Sequence, residues 1–270
     1  MVVIGNKYEI IELIGEGTFG KIYKGLNIRT KEEVAVKIEP ITSEMNSLTH
    51  ETKIYQYLNG TLGIPSLKWY GTDLNHRFMV LSLLGDNLSI LLQKHSVFSL
   101  QVTFQIGIQA LNIIENIHKV GLIHRDIKPD NFLFGRNENK HQLHVIDFGI
   151  CKRFTNDNGE HMKMNKIKKI IGSLNYCSIN SHQLNELSRR DDLEMLGYVL
   201  INISCGSLIW KTYSCENEIM KRKILLTSDI KIPGIPDVFI TYLKYVKKLG
   251  FEEKPDYEFI RDLFTCNQDK

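Results

Sequence analysis

An α+β protein in two parts is what this sequence predicts: a small, mainly antiparallel β part followed by a larger, mainly helical part. Three observations carry that reading. Short β-rich runs separated by turn residues fill the stretch from Tyr8 to Leu84, with one helical pattern among them. Apolar residues at helical spacing dominate from Ser99 onward. Between the two, Gly85-Asp86-Asn87 breaks the pattern. The expected boundaries are 1–82 for the first part, 83–86 for a hinge and 87–270 for the second.

The elements follow in order. Tyr8 to Ile14 mixes β-formers with charge and reads as a strand. Gly15-Glu16-Gly17-Thr18-Phe19-Gly20 comes next, and Lys21 to Gly25 resumes strand character. The glycines let a tight turn bring backbone N–H groups up to phosphate oxygens. Dinucleotide folds use the same spacing, but they need a helix next. Here β-branched and aromatic residues follow, which favours a strand–loop–strand flap. Glu32 to Glu39 is a third strand; Val34, Val36 and Ile38 share one face, and Ala35, Lys37 and Glu39 the other. A helix is expected from about Ser43 to Leu58, with Leu48, Glu51, Tyr55 and Leu58 on one face. Glu51 then points inward, where a carboxylate needs a partner, and Lys37 is the candidate. Leu67 to Gly71 and Arg77 to Leu84 complete an expected five-stranded sheet.

In the second part, Asp86 or Asn87 can cap a short helix to about Lys94. Ser99 can cap a long helix ending near Val120, with Gly121 closing it. Phe104, Ile108, Leu111 and Ile114 form one apolar stripe of that helix, and Ile106, Ile113 and Ile117 another. Later helices are expected over Leu193–Ile203, Glu216–Leu225, Val238–Leu249 and from Pro255-Asp256 onward. Trp210 reads as a packing anchor, and the segment from Lys152 to Ile171, rich in Lys, Asn and His, as an exposed loop.

The chemistry sits in two strings. His124-Arg125-Asp126-Ile127-Lys128-Pro129-Asp130-Asn131 precedes Phe132-Leu133-Phe134, and Asp147-Phe148-Gly149 follows Leu143-His144-Val145-Ile146. A base and an amide, then a carboxylate, all at the ends of short strands, suit metal-assisted phosphoryl transfer to a hydroxyl. Asp126 is placed to accept or orient the hydroxyl proton, and Lys128 to neutralise the transferring phosphoryl group. Asn131 and Asp147 offer hard oxygen ligands to Mg²⁺. Arg125 could pair with anionic groups of the following segment.

Composition narrows the remaining choices. With 270 residues, 43% hydrophobic and 24% charged, the chain can bury a sizeable core. A net charge of +3 is too small to argue for nucleic acid as a partner. The five cysteines show no CxxC spacing, which suits free thiols in a reducing compartment. No signal peptide is read at the N-terminus, and the apolar run Tyr198–Trp210 is too short and too interrupted to span a membrane.

These strings together resemble the eukaryotic-type protein kinases, and within them the casein kinase 1 family, over nearly the whole chain. The resemblance implies a bilobal protein-kinase-like fold and transfer of the ATP γ-phosphoryl group, with Mg²⁺, to protein serine or threonine. It implies a catalytic set of Asp126, Lys128, Asn131, Lys37 and Glu51. The implied nucleotide site is Ile14, Gly15, Glu16, Gly17, Thr18, Phe19, Gly20, Ile22, Ala35, Lys37, Leu81 (the gatekeeper), Leu84 and Asp147, with Asn131 and Asp147 on the metal. Asp192 corresponds to a buried aspartate that holds the catalytic loop.

The subfamily signal is Cys177-Ser178-Ile179-Asn180, where most kinases carry Ala-Pro-Glu, with Ser188-Arg189-Arg190-Asp191-Asp192, Leu83-Leu84-Gly85 and Lys254-Pro255-Asp256-Tyr257. Vaccinia-related and tau-tubulin kinases share part of it. The same resemblance implies an anion site for acidic or phosphate-primed substrates at Arg125, Lys152 and Lys168, with Lys221 or Lys223 as additions. Gly172-Ser173-Leu174-Asn175-Tyr176 departs from the family's Gly-Thr-Ala-Arg-Tyr: Asn175 replaces an arginine, so dependence on priming should be reduced. Ser82 and Leu81 replace a common glutamate and methionine at the hinge.

A catalytically inactive scaffold is the competing class of function, and a small-molecule kinase a competing enzyme; the retained catalytic residues speak against the first and the subfamily strings against the second. Lys128, two residues after the base, favours serine/threonine over tyrosine transfer. The protein is expected to be a cytoplasmic monomer, with nuclear entry left open by Lys221-Arg222-Lys223. The sequence carries no long tail after its last helix, so autoinhibition by a tail is not expected.

Overall fold

The computed structural model describes residues 2–17, 20–42, 47–228 and 232–267. The expected positions Thr18 and Phe19, the helix start near Ser43 and the connector start at Ile230 lie outside them. The chain forms two units: residues 1–85 with 133–150, and residues 86–132 with 151–270.

The first unit is built on a six-stranded antiparallel sheet in the order β1-β2-β3-β4-β6-β5. Its strands are β1 (Val2–Ile4), β2 (Tyr8–Gly17), β3 (Gly20–Asn27), β4 (Glu33–Pro40), β5 (Leu67–Thr72) and β6 (His76–Ser82). The sequence predicts five strands. The sixth, β1, is a three-residue strand that pairs Val3 with Glu9, too short to show a period. The alternation read for β4 holds on its apolar face. Val34 and Val36 are fully buried with Ile4, Tyr8, Phe78 and Val80, and Ile38 packs against them. On the opposite face Glu39 is also fully buried, which a period of two cannot show.

Helix α1 (Ser47–Tyr57) buries Leu48, Glu51 and Tyr55, and Leu58 just beyond it is fully buried as well. Glu39 accounts for its own burial at the start of this helix. Its Oε1 accepts from Ser47 N–H (3.2 Å), Ser47 Oγ (2.6 Å) and Leu48 N–H (3.4 Å), and its Oε2 from Arg77 (3.2 Å). A carboxylate from a neighbouring strand thus meets unpaired N–H donors of the helix end, where negative charge is favoured.

Residues 133–150, assigned from sequence to the larger part, pack with the first unit. Gly85 N–H donates to Phe134 O (2.8 Å), Val145 N–H to Gly63 O (2.9 Å), and Arg136 pairs with Glu33 (2.7 Å). The segment is a hairpin of β8 (Phe132–Phe134) and β9 (Leu143–Val145).

The second unit is mainly helical. Asn87 caps α2 (Leu88–His95) through Ile90 N–H, and Ser99 caps α3 (Leu100–Lys119) through Val102 N–H. Both caps agree with the sequence. Of the predicted stripes on α3, Phe104, Ile106, Leu111, Ile113, Ile114 and Ile117 are buried, but Ile108 is only half-buried. Small Gly107 and Ala110 take the packed positions instead, and a Cβ on Gly107 would stand 3.3 Å from Leu200 and Phe264. The central helix α5 (Arg189–Cys205) is buried almost throughout; α3 and α7 (Asp237–Lys248) pack on it, and α8 (Tyr257–Thr265) packs on α3 and α7. Phe104 lies 5.8 Å from Phe239 and 6.1 Å from Phe264, ring centre to ring centre, fixing three helices around one aromatic cluster. A two-stranded ribbon, β7 (Leu122–Ile123) with β10 (Lys152–Arg153), frames the catalytic string, and α4 (Ile179–His182) and α6 (Glu216–Leu225) complete the unit. No helix among the described residues is long and apolar enough to cross a membrane.

Candidate active site

In the first unit, strand alternation turns Lys37 away from the sheet core, and helical spacing turns Glu51 inward to meet it. Lys37 Nζ lies 2.7 Å from Glu51 Oε2 and 3.4 Å from Asp147 Oδ1. Burial works against the ammonium, but Glu51 and Asp147 outweigh it and hold the Lys37 pKa above its ordinary value. Burial pushes the Glu51 carboxyl up, and Lys37 opposes that shift. The lysine is therefore a fixed positive charge.

Asp147 takes a left-handed backbone, φ +68°, which a non-glycine residue keeps only where its surroundings enforce it. Its N–H donates to the Tyr55 hydroxyl (3.3 Å), and the neighbouring Phe148 meets the Tyr55 ring edge-on at 5.1 Å. The Asp147 side chain remains 30% exposed.

The flap is the β2–β3 turn. Gly15 pairs with Ile22, Glu16 with Lys21 and Gly17 with Gly20. A Cβ on Gly17 would meet nothing within 4 Å among the described residues. A Cβ on Gly20 (φ +148°) would lie 2.2 Å from Ile38 O, so glycine is required there. Ile14, Ile22, Ala35, Leu81 and Leu84, the apolar members of the expected nucleotide site, are all incompletely buried; Ile14 is 48% exposed. Ala35 and Leu81 are direct partners across β4 and β6. The unit thus presents apolar side chains, glycines at the ends of two paired strands, a fixed cation and a carboxylate, which fits a nucleoside polyphosphate with its metal.

In the second unit the catalytic string is over-determined. Asp192 is fully buried; its Oδ2 accepts from His124 N–H (2.7 Å) and its Oδ1 from Arg125 N–H (2.8 Å). His118 Nε2 lies 2.9 Å from the same carboxylate and His118 Nδ1 2.7 Å from the Tyr257 hydroxyl. Burial alone would raise the Asp192 pKa, but these partners lower it below the ordinary value. Arg125, like Asp147, is left-handed at φ +71°.

Held this way, the loop presents Asp126. Its Oδ1 accepts from Ser173 N–H (2.9 Å) and Ser173 Oγ (2.8 Å), and its Oδ2 from Lys128 Nζ (2.6 Å), which also reaches Ser173 Oγ (3.1 Å). Asn131 donates its amide nitrogen to Asp126 O (2.8 Å), and that bond leaves the amide oxygen as a hard donor for a metal.

The predicted anion site differs from expectation. Lys152 and Arg125 do come together, but on a protein carboxylate: Glu186 lies 2.7 Å from Lys152 and 4.0 Å from Arg125. Lys168 is exposed. Lys221 pairs with Glu218 at 2.7 Å, and Lys223 is fully buried. Sequence reasoning missed Glu39, His118 and Glu186. His118 carried a signal, since it falls on the buried side of α3 beside Ile114 and Ile117; Glu39 and Glu186 carried none.

The model of the protein kinase domain family matches residues 8–270. That span takes in the flap, the Lys37–Glu51 pair, Asp126 with its holders, and Asp147. The chain belongs to the protein kinase domain family.

Proposed function

We propose that the protein is an active serine/threonine kinase of casein kinase 1 type, which transfers the γ-phosphoryl group of ATP to acidic protein substrates. One observation carries the reading: the Asp126 carboxylate is held jointly by Lys128 and Ser173, the arrangement of a base aimed at an incoming hydroxyl. Asp126 orients the hydroxyl and takes its proton. Lys128 offsets negative charge as the phosphoryl group moves, and Lys37 holds the polyphosphate as a point charge. Asp147 and Asn131 are the proposed ligands of Mg²⁺, which when bound neutralises phosphate charge. The backbone of the Gly15–Gly17 stretch serves the phosphates, and the partly exposed apolar set around Ala35 and Leu81 serves the adenine.

Reduced dependence on priming belongs to the same proposal. Asn175 stands where a guanidinium is common, and Glu186 already neutralises Lys152 and faces Arg125. The proposed setting is a cytoplasmic monomer. Radiolabelled phosphate transfer from ATP to casein tests the activity. Asp126→Asn should cut kcat by about a hundredfold or more, since the base acts only in the transition state. Equal turnover in that variant overturns the assignment, and absence of transfer by wild-type protein returns the chain to a scaffold role. Matched peptides with and without an upstream phosphoserine test the specificity; a strong preference for the phosphorylated one refutes it.

A further inference from the structure

Lys223 was a candidate for the anion site, and it faces the other way. It sits on α6 with no exposed surface. Its ammonium donates to Leu174 O (2.8 Å) and Cys177 O (2.7 Å) and lies 3.1 Å from His182 Nε2. Cys177 Sγ stands 3.7 Å away as well, so the three donors meet two carbonyls, a ring nitrogen and a thiol and touch no carboxylate. The rings of Tyr198 and Trp210 lie 5.2 Å and 5.7 Å from the ammonium. A buried lysine without a carboxylate contact is costly, so an arrangement that keeps one has another use for its donors.

The use is visible in the segment it touches. Ser173 is tied to Asp126 and Lys128. Leu174 O is taken by Lys223, Asn175 O by Trp210 Nε1 (2.9 Å), the Tyr176 hydroxyl by Asn202 (3.0 Å) and Cys177 O by Lys223 again. Tyr176 N–H and Cys177 N–H both close back on Ser173 O. Every residue from 173 to 177 is therefore fixed, and one side chain accounts for two of the five. The segment begins at Ser173, which bonds the base directly, and that is where an acceptor peptide must be aligned.

We propose that Lys223 is a positioning residue for the protein substrate: from beneath, it clamps the 173–177 segment in the shape that aligns the acceptor hydroxyl with Asp126. The inference rests on the reading of the chain as a protein-directed kinase. It also assigns a role to a charge that cannot reach the substrate itself. His182 belongs to the clamp as its third acceptor; its half-buried ring is kept neutral by burial and by Lys223, with a pKa lowered to about 4.

Steady-state kinetics with casein and ATP test the clamp in Lys223→Met, Lys223→Arg and His182→Leu. In Lys223→Met the KM for casein should rise by about tenfold, while the KM for ATP moves less than about twofold, because the lost interaction acts on one substrate only. Lys223→Arg, which retains a charged donor, should recover a large part of the casein KM. His182→Leu removes one acceptor from a less buried position and should raise the casein KM by about threefold. An unchanged casein KM in folded Lys223→Met, or in His182→Leu if the first variant does not fold, overturns the proposal; so does an equal rise in both KM values. Amide hydrogen exchange separates this inference from the kinase reading. If wild-type protein transfers no phosphate, faster exchange at Tyr176 and Cys177 in His182→Leu, with α5 unchanged, still supports the clamp, and unaltered exchange refutes it.

Discussion

Replacing Asp192 with asparagine removes one oxygen from a site that uses two. In the wild type Oδ1 serves Arg125 N–H, and Oδ2 serves His124 N–H and His118. The amide of Asp192→Asn can keep its oxygen toward His124 and His118, but its NH₂ group then faces Arg125 N–H, donor against donor. The loss is one hydrogen bond to a charged acceptor, plus the repulsion of two donors facing each other in a part-buried site, together about 3 kcal/mol. For a domain of this size that lowers Tm by roughly 6–12 °C.

The catalytic effect is separate. Arg125 is held left-handed, and a conformation that costs about 1–2 kcal/mol is abandoned once its restraint goes. Displacement of the neighbouring Asp126 should lower kcat by up to about a hundredfold, at about 1.4 kcal/mol for each factor of ten. The pH dependence has a definite sign. Because the folded Asp192 pKa is lowered, its contribution is complete above the ordinary carboxylate pKa and disappears as pH falls through the folded value. Asp192→Asn should lack that part of the acid limb. Calorimetry, circular dichroism against pH and initial-rate kinetics make the comparison. A variant whose Tm falls as calculated while kcat stays within about threefold would refute the idea that Asp192 sets the catalytic loop.

Two further outcomes can be checked with simple assays. Glu39→Gln keeps the shape but weakens the charge-assisted bonds to Ser47 and Leu48 and leaves Arg77 without its carboxylate; a stability loss of about 2–3 kcal/mol, with a raised KM for ATP as Glu51 loses its placement, is expected from chemical denaturation and kinetics. An unchanged KM would detach Glu39 from the placement of α1. Among the cysteines, burial pushes Cys151 up to about 12 and Cys177 up to about 11, whereas Cys215 and Cys266 are exposed. Iodoacetamide should label Cys215 and Cys266 in the native protein, and Cys151 and Cys177 only after denaturation; mass spectrometry showing early modification of either buried thiol would contradict their placement.

Much of this was legible because period and spacing are local. The pairing of Lys37 with Glu51 followed from which way a strand and a helix turn their side chains, and the caps at Asn87 and Ser99 from residue type alone. The buried polar groups were not legible, because their partners come from distant parts of the chain. Glu39 looks like a surface residue until Ser47, Leu48 and Arg77 are placed around it. Lys152 and Arg125 look like a vacant cationic site until Glu186 folds back onto them. The left-handed backbone at Arg125 and Asp147 had no signature at all, since the chemistry that needs those side chains overrides the usual preference for glycine.

The first unit is not continuous along the chain: it takes residues 1–85 and then 133–150. A nascent chain that has emerged from the ribosome as far as Gly85 still lacks the strand that donates to Gly63 O and the carbonyl that receives Gly85 N–H. It also lacks Asp147, so Lys37 meets Glu51 before its second carboxylate has been synthesised. Domain completion during translation therefore waits for residue 150, by which time α3 and the whole Asp126 string have been made. A fragment cut at the end of the sixth strand would be an unfinished sheet, and the nucleotide-binding half of this enzyme cannot be excised as a single contiguous piece.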